Sequence, residues 1–388
     1  MTTAVSGSSA RVPALLAVFA IANFAIGMGA FVVVGMLSPV ATATGVDMAP
    51  AGWLMSVYAL VYAVSSPLLV AAVGPLDRRT VVAGGMLVFA AGSALAAAAP
   101  GFATLLGARA VMAIGAGLVS PVAASVAVAV SAPEHRGRAL AIVFGGLTLS
   151  QVFGVPVGAW LAYAVGWRWA FAAVAALSGL AAAAAFVTMP RAIAAPVTRL
   201  STLLSVVTTP RLLLAVSFTA LLMSSTYVLY TYTAPLLEAR HGLGRDGVTS
   251  IFLLIGIAAV LGNLAGGFAS DRIGPRGTLL GIGAAQLVLM PAITLVPLPL
   301  AGTATLIFVW SVSTWAFMVP QQARLAGLDP ARTPVLFALN AACLYLGASV
   351  GSAIGGQVLR LSDLSVLGPA GACVALLALA SLVAFRER

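Results

Sequence analysis

Gly267-Phe268-Ala269-Ser270-Asp271-Arg272-Ile273-Gly274-Pro275-Arg276 is a charged, glycine-rich turn set between two long apolar runs. A shorter copy, Gly74-Pro75-Leu76-Asp77-Arg78-Arg79, stands in the first half of the chain. Asp77 and Asp271 lie 194 residues apart, which is half of the 388-residue length. The chain therefore reads as a tandem duplication whose unit carries charged turns at fixed places between apolar segments.

Composition says where such a unit belongs. Hydrophobic residues make up 62% of the chain and charged residues 7%, with a mean hydropathy of +1.12. A soluble domain carries roughly 25% charged residues to cover its water-facing surface. This chain has too few and belongs in lipid. A net charge of +10 would suggest nucleic acid for a soluble protein, but here the arginines are read by position along the membrane, and no nucleic-acid partner is expected. All 19 basic residues are Arg, a bias that matches GC-rich coding and carries no functional weight. Cys343 and Cys373 sit inside apolar runs, where cysteine behaves as a small hydrophobe, so no disulfide is expected. The apolar stretch from Val12 to Val40 is too long for the ~7–15 residue core of a signal peptide and reads as the first spanning helix.

A bilayer-crossing helix needs about 20 mostly apolar residues. Breaks at Pro, Gly and charged clusters divide the chain into twelve such runs. The first six cover about 13–39, 51–73, 80–99, 102–130, 139–164 and 168–189,. The second six cover about 210–237, 247–270, 277–296, 302–325, 334–360 and 367–385,. The expected organisation is an all-α integral membrane protein of two pseudo-symmetric six-helix bundles, 1–189 and 210–388, joined by a linker over 190–209. Fourteen arginines fall on one set of span ends, and four (Arg168, Arg240, Arg245 and Arg360) on the opposite set. By the excess of basic residues on cytoplasmic loops, both termini and the linker are expected in the cytoplasm. The remaining arginine, Arg109, falls inside the fourth span.

The duplication continues past the charged turn. Pro133-Glu134-His135-Arg136 before the fifth span matches Pro330-Ala331-Arg332 before the eleventh. Gly154-Val155-Pro156-Val157-Gly158 matches Gly351-Ser352-Ala353-Ile354-Gly355 at an offset of 197. Repeats related by an axis along the membrane normal place a substrate cavity between the halves near the midplane.

On these residues the chain resembles the major facilitator superfamily over essentially its whole length. Gly267, Asp271, Arg272, Gly274 and Arg276 fit that family's signature turn. The first copy keeps Asp77, Arg78 and Arg79, with Val73 where the family has Gly. Arg109 with Gly115 and Gly117 resembles the family's helix 4 motif, and Gly145 to Gly158 resembles the helix 5 motif of drug-efflux antiporters. The nearest flavour is the twelve-helix arabinose and chloramphenicol efflux group. The resemblance implies a secondary transporter that exports a small neutral or amphipathic compound by alternating access, with protons as the coupling ion. A bacterial cytoplasmic membrane location and a monomer are expected, with no cofactor. An enzyme is not: no metal-ligand cluster, nucleophile–base pair or phosphate loop is present.

The resemblance assigns candidate roles. Asp77, Arg78, Asp271, Arg272 and Arg276 form a conformational latch, each Asp facing the positive start of a helix in the other half. Gly154, Pro156, Gly158, Gly351 and Gly355 are helix-packing positions, and Gly262 and Gly266 are expected at the seam between halves. An ionisable residue within a span marks a pathway or relay by default, so Arg109, with Asp77, is the candidate proton relay. The alternative for Arg109 is a cation held by backbone carbonyls. Asn23, Gln151, Tyr230, Asn340, Tyr227 and Trp315 are the cavity-lining candidates, in spans 1, 5, 7, 10 and 11. All nine acids map to loops or span ends. Related exporters often carry an acid in helix 1, where this chain reads Gly27-Met28-Gly29-Ala30-Phe31. That departure disfavours cationic drugs and leaves an uncoupled facilitator or a metabolite or organic-anion exchanger as the alternative.

Overall fold

A computed structural model describes residues 11–191, 193, 205–206 and 208–384. Most of the 190–209 stretch, including Arg199, lies outside the described residues, as do Arg386, Glu387 and Arg388. Among the described residues there is no β-strand, and eleven helical segments are long and apolar enough to cross a membrane. In the first half these are α1 (Val12–Gly35), α2 (Met48–Ala72), α3 (Arg78–Ala97), α4 (Phe102–Val130), α5 (Arg136–Ala164) and α6 (Trp167–Thr188). In the second half they are α7 (Pro210–His241), a 51-residue segment Arg245–Leu295, then α10 (Leu300–Leu328), α11 (Val335–Leu361) and α12 (Leu364–Ala384).

The 51-residue segment holds two spans, because a straight helix of that length would run roughly 75 Å, far beyond a bilayer. It breaks at Gly274, whose φ of 77° and ψ of 159° are open to glycine alone. We call 245–273 α8 and 275–295 α9. The chain folds back at this point. Gly262 in α8 packs on Val312 of α10, and Gln286 in α9 bonds Thr314, two residues further along the same helix. The glycine of the charged turn is what permits one helical run to become two antiparallel spans.

Other ends follow from local chemistry. Asp77 caps α3 by accepting from the Thr80 backbone N–H at 3.4 Å, which satisfies one of the unpaired donors at a helix start. Pro210 opens α7 at a position whose N–H would be unpaired anyway,. Beyond α1 the chain kinks at Met36 and continues as a short helix, Leu37–Thr44, that ends on Gly45 in the left-handed conformation. The first span is thus longer than its apolar run suggests.

The two halves use one packing plan. α5 lies on α1 through small residues: side-chain space at Gly154 is filled by Met28 and at Gly158 by Val32. α11 lies on α7 in the same way, with Gly351 against Ser224 and Gly355 against Val228. The offsets are 197 along α5 and α11 and 196 along α1 and α7. A Cβ at Gly351 would stand 2.2 Å from the Ser224 carbonyl; without a hydrophobic force between helices in lipid, such close approach is what holds them. Gly262 and Gly266, expected at the seam, instead face Val312 and Ala316 of α10 inside their own half. The seam glycine on α8 is Gly256, seated on the backbone of Gln151 and Val152 in α5. Gly262 and Gly266, four residues apart, share one side of a helix turning 100° per residue, whereas Gly256, six residues before Gly262, lies about 120° round from it.

Candidate functional site

The helix order alternates the connections between two faces. One carries the turns at 73–77, 131–135, 274 and 329–332 and is arginine-rich; the opposite face is arginine-poor. The halves are joined toward the arginine-poor side. Ser56 of α2 donates to the Ser349 carbonyl of α11 at 3.0 Å, and Ser349 donates back to the Ser56 carbonyl at 2.9 Å. Closer to that face, Ser352 donates to the Gly52 carbonyl at 2.9 Å. The Tyr232 hydroxyl, bonded to the Ser352 carbonyl, fills the space a side chain at Gly52 would take. Between α5 and α7 the Tyr163 hydroxyl donates to the Glu238 carboxylate. Arg245 lies over the Trp160 ring at 5.3 Å.

Just inside this seal, rings from both halves meet. Tyr345 of α11 stacks on Tyr62 of α2 with centroids 3.8 Å apart, and lies 6.4 Å from both Tyr58 and Phe31. Tyr227 and Tyr230 of α7 pack edge to face at 5.4 Å, and Tyr230 reaches Phe252 of α8. Such pairs contribute ~0.5–1.5 kcal/mol each beyond the area they bury. Tyr62 is six residues from Ser56 and Tyr345 four from Ser349, so at 1.5 Å per residue the cluster lies about 6–9 Å from the serine pair.

Arg109 is fully buried beside this cluster. Its Nε donates to the Leu54 carbonyl at 3.0 Å, and its two terminal nitrogens donate to Gly29 and Ala30, the latter at 2.8 Å. The guanidinium plane lies 4.3 Å from the Tyr58 ring centroid. The arginine thus ties α4 to α1 and α2, and no carboxylate among the described residues pairs with it. Close approach of α1 depends on Gly29, where a side chain would meet Phe89 at 2.7 Å.

The remaining candidates fall into separate groups. Asn23 is buried and joins α1 to α4 by accepting from Ser120 at 2.8 Å. Asn340 accepts from Thr219 and, at 3.4 Å, from Gln321, tying α11 to α7 and α10. Gln151 is buried at the α5–α8 crossing, within a π-helical turn, Ser150–Gly154; such turns recur at functional sites. Tyr227 and Tyr230 belong to the aromatic cluster, whereas Trp315 is half-buried in α10. The sequence reading missed Tyr58, Tyr62 and Gln321, and it missed Arg324, which is buried against Phe218 and bonded to Gln321. Tyrosine in an apolar run gives no signal by itself. Arg324 looked like an ordinary positive turn residue at a span end.

Asp271 and Arg272 are exposed, and Arg272 lies over its own helix's Phe268 at 4.2 Å. Arg276 donates to the Leu382 carbonyl of α12 at 3.2 Å. Arg78 is buried, and Arg79 lies 3.9 Å over the Phe186 ring of α6.

Two six-span halves related by one packing plan, sealed on one side around a central aromatic cluster, describe a carrier. The Major Facilitator Superfamily model matches residues 19–352. The chain belongs to the Major Facilitator Superfamily. It is 33% identical over 370 residues to the inner membrane transport protein YdhP of Escherichia coli K12, covering 94% of each chain. It is 33% identical to a chloramphenicol resistance protein of Streptomyces lividans over 383 residues, 97% of this chain and 96% of that one. Among solved structures it matches a bacterial homologue of the human lysosomal transporter Spinster in an inward-facing, unoccupied conformation. That match has a TM-score of 0.74 at 18% identity and covers 98% of this chain and 95% of the other. The protein is a multi-pass membrane transporter and not an enzyme.

Proposed function

We propose that this transporter exports a small neutral or amphipathic compound across the bacterial cytoplasmic membrane by alternating access. The observation that carries the reading is the one-sided seal: serine and tyrosine contacts join the halves toward the arginine-poor face, while Asp271 and Arg272 stand exposed at the other. By the arginine bias that other face is cytoplasmic, as are both termini and the linker over 190–209. The chain then rests inward-open, ready to load substrate from the cell. The name of the Escherichia coli relative supports transport, and the resistance named for the Streptomyces relative supports export.

Proton antiport is the driver we favour, with Arg109 and Asp77 as its candidate relay. A second reading is favoured by one observation. Among the described residues every buried ionisable side chain of Asp, Glu or Arg is an arginine: Arg78, Arg109 and Arg324. With no buried carboxylate to exchange a proton, an uncoupled facilitator or organic-anion exchanger fits equally well with that composition. The working unit is taken as a monomer that needs no cofactor and no nucleic acid.

Counterflow of chloramphenicol in proteoliposomes, with and without a pH gradient, separates these. Gradient-driven accumulation is expected for antiport, and equilibration alone for the facilitator. Absence of exchange for every compound drawn from a susceptibility and metabolite screen of overproducing cells would remove the transport proposal in both forms.

A further inference from the structure

The central cluster holds polar atoms that nothing in the fold uses. The hydroxyls of Tyr58 and Tyr227 are buried and have no hydrogen-bond partner among the described residues. Both tyrosines neighbour Tyr345, the ring that α11 inserts between α1 and α2 of the other half. Leaving a buried hydroxyl unbonded costs roughly 1–3 kcal/mol, and proteins keep few such groups without a use. Each phenol can donate one hydrogen, so the complementary ligand offers acceptors.

Electrostatics narrows the ligand further. A cage of tyrosine rings would ordinarily attract a cation through its π-faces. Here one face of Tyr58 is already covered by the Arg109 guanidinium at 4.3 Å. That positive charge is buried, held only by carbonyls, and unpaired with any carboxylate among the described residues. In a low-dielectric interior it repels a second cation strongly and favours a neutral acceptor or an anion. The stacked pair Tyr62–Tyr345, 3.8 Å apart, is where the halves meet ring on ring. A flat substrate ring offers each tyrosine face a replacement for that contact as the halves part.

We infer that the substrates are planar-ring compounds, uncharged or anionic, that carry hydrogen-bond acceptors. Tyr58 and Tyr227 anchor them, Tyr62 and Tyr345 stack on them, and Arg109 excludes cations. This rests on the transport reading and names its substrate class.

The test uses the full-length protein and three probes: chloramphenicol as the uncharged ring compound, 4-nitrobenzoate as the anion and tetraphenylphosphonium as the cation. Binding is followed by tryptophan fluorescence and exchange by counterflow. At least one of the two nitrophenyl probes is expected to bind, and tetraphenylphosphonium neither to bind nor to compete. Tyr58→Phe and Tyr227→Phe each remove one hydroxyl without a ring, and each is expected to raise Kd about threefold to tenfold. Trp169→Phe, on the exposed start of α6, is the control and should leave Kd unchanged. Equal affinity for tetraphenylphosphonium, wild-type affinity in both phenylalanine variants, or no binding of either nitrophenyl probe would each overturn the assignment. Exchange of the cation alone would do so while leaving the transport reading intact; a folded protein that exchanges none of the probes or screened compounds counts against transport itself.

Discussion

At the scale of single residues, Arg109 shows how a lone charge is made tolerable inside a membrane. Its planar fork reaches carbonyls on two neighbouring spans at once. A lysine keeps the charge but offers a point donor on a flexible stem, and cannot reproduce that geometry. Arg109→Lys is therefore expected to lower stability by about 1–3 kcal/mol, the loss of one or two charge-assisted hydrogen bonds. Thermal unfolding of the detergent-solubilised protein would register it; an unchanged midpoint would mean the fork is idle. The position was legible in the sequence as the single ionisable residue within a span. Its partners were not, because backbone carbonyls carry no side-chain signature. Asn23 and Asn340 stand out in the sequence as polar residues in apolar runs, but the bonds by which each ties neighbouring spans together do not.

At the scale of elements, glycines that look alike in sequence serve different interfaces. Gly351 packs α11 on α7 within one half, whereas Gly256 packs α8 on α5 between halves. Gly351→Leu forces a side chain into the Ser224 backbone and should reduce folded yield, an overpacking cost of about 1–3 kcal/mol or more. Gly256→Leu should instead leave each bundle intact and prop the arginine-poor face open. Spin labels at Thr42→Cys and Leu361→Cys, in a background lacking Cys343 and Cys373, would report it as a longer distance; matching behaviour of the two variants would refute the distinction. Glu238 belongs to the same seam. Its carboxylate accepts from Tyr163 across the halves, and a bond to an ionised acceptor is about twice as strong as a neutral one. Glu238→Gln is expected to widen the same label distance by population, without unfolding. Its charged neighbours are otherwise engaged: Arg240 bonds the Ile293 carbonyl, His241 bonds Thr303, and Arg245 pairs with Asp246. The spans themselves were readable from apolar runs near 20 residues and from Gly274. Which side of each span faces the other half was not, since lipid and protein interior select the same apolar residues.

At the scale of the whole molecule, the duplication visible in Asp77 and Asp271 leads to a mechanism only if the halves move apart where they now touch. Asp271 is exposed in the described conformation, so its charge stabilises this state little. If the latch operates, it does so when the arginine-rich face closes. Asp271→Asn should then weaken only the closed form of that face and shift the population toward the conformation described, seen as label distances across that face that lengthen on average. Unchanged distances would leave the signature turn with no role beyond placing charge. The stronger test acts on the contact that is present. Ser56 and Ser349 exchange hydrogen bonds at 3.0 and 2.9 Å through each other's backbone, an approach compatible with the 4.4–6.8 Å Cα separation of a disulfide. With Cys343 and Cys373 replaced by alanine, Ser56→Cys with Ser349→Cys should cross-link under mild oxidation and fix the arginine-poor face shut. Alternating access requires that face to open once in every cycle. Counterflow should therefore cease on oxidation and return on reduction, while loading from the arginine-rich face persists in the locked protein. Exchange at an undiminished rate through the cross-linked molecule would mean that substrate does not pass between the halves, whatever their symmetry.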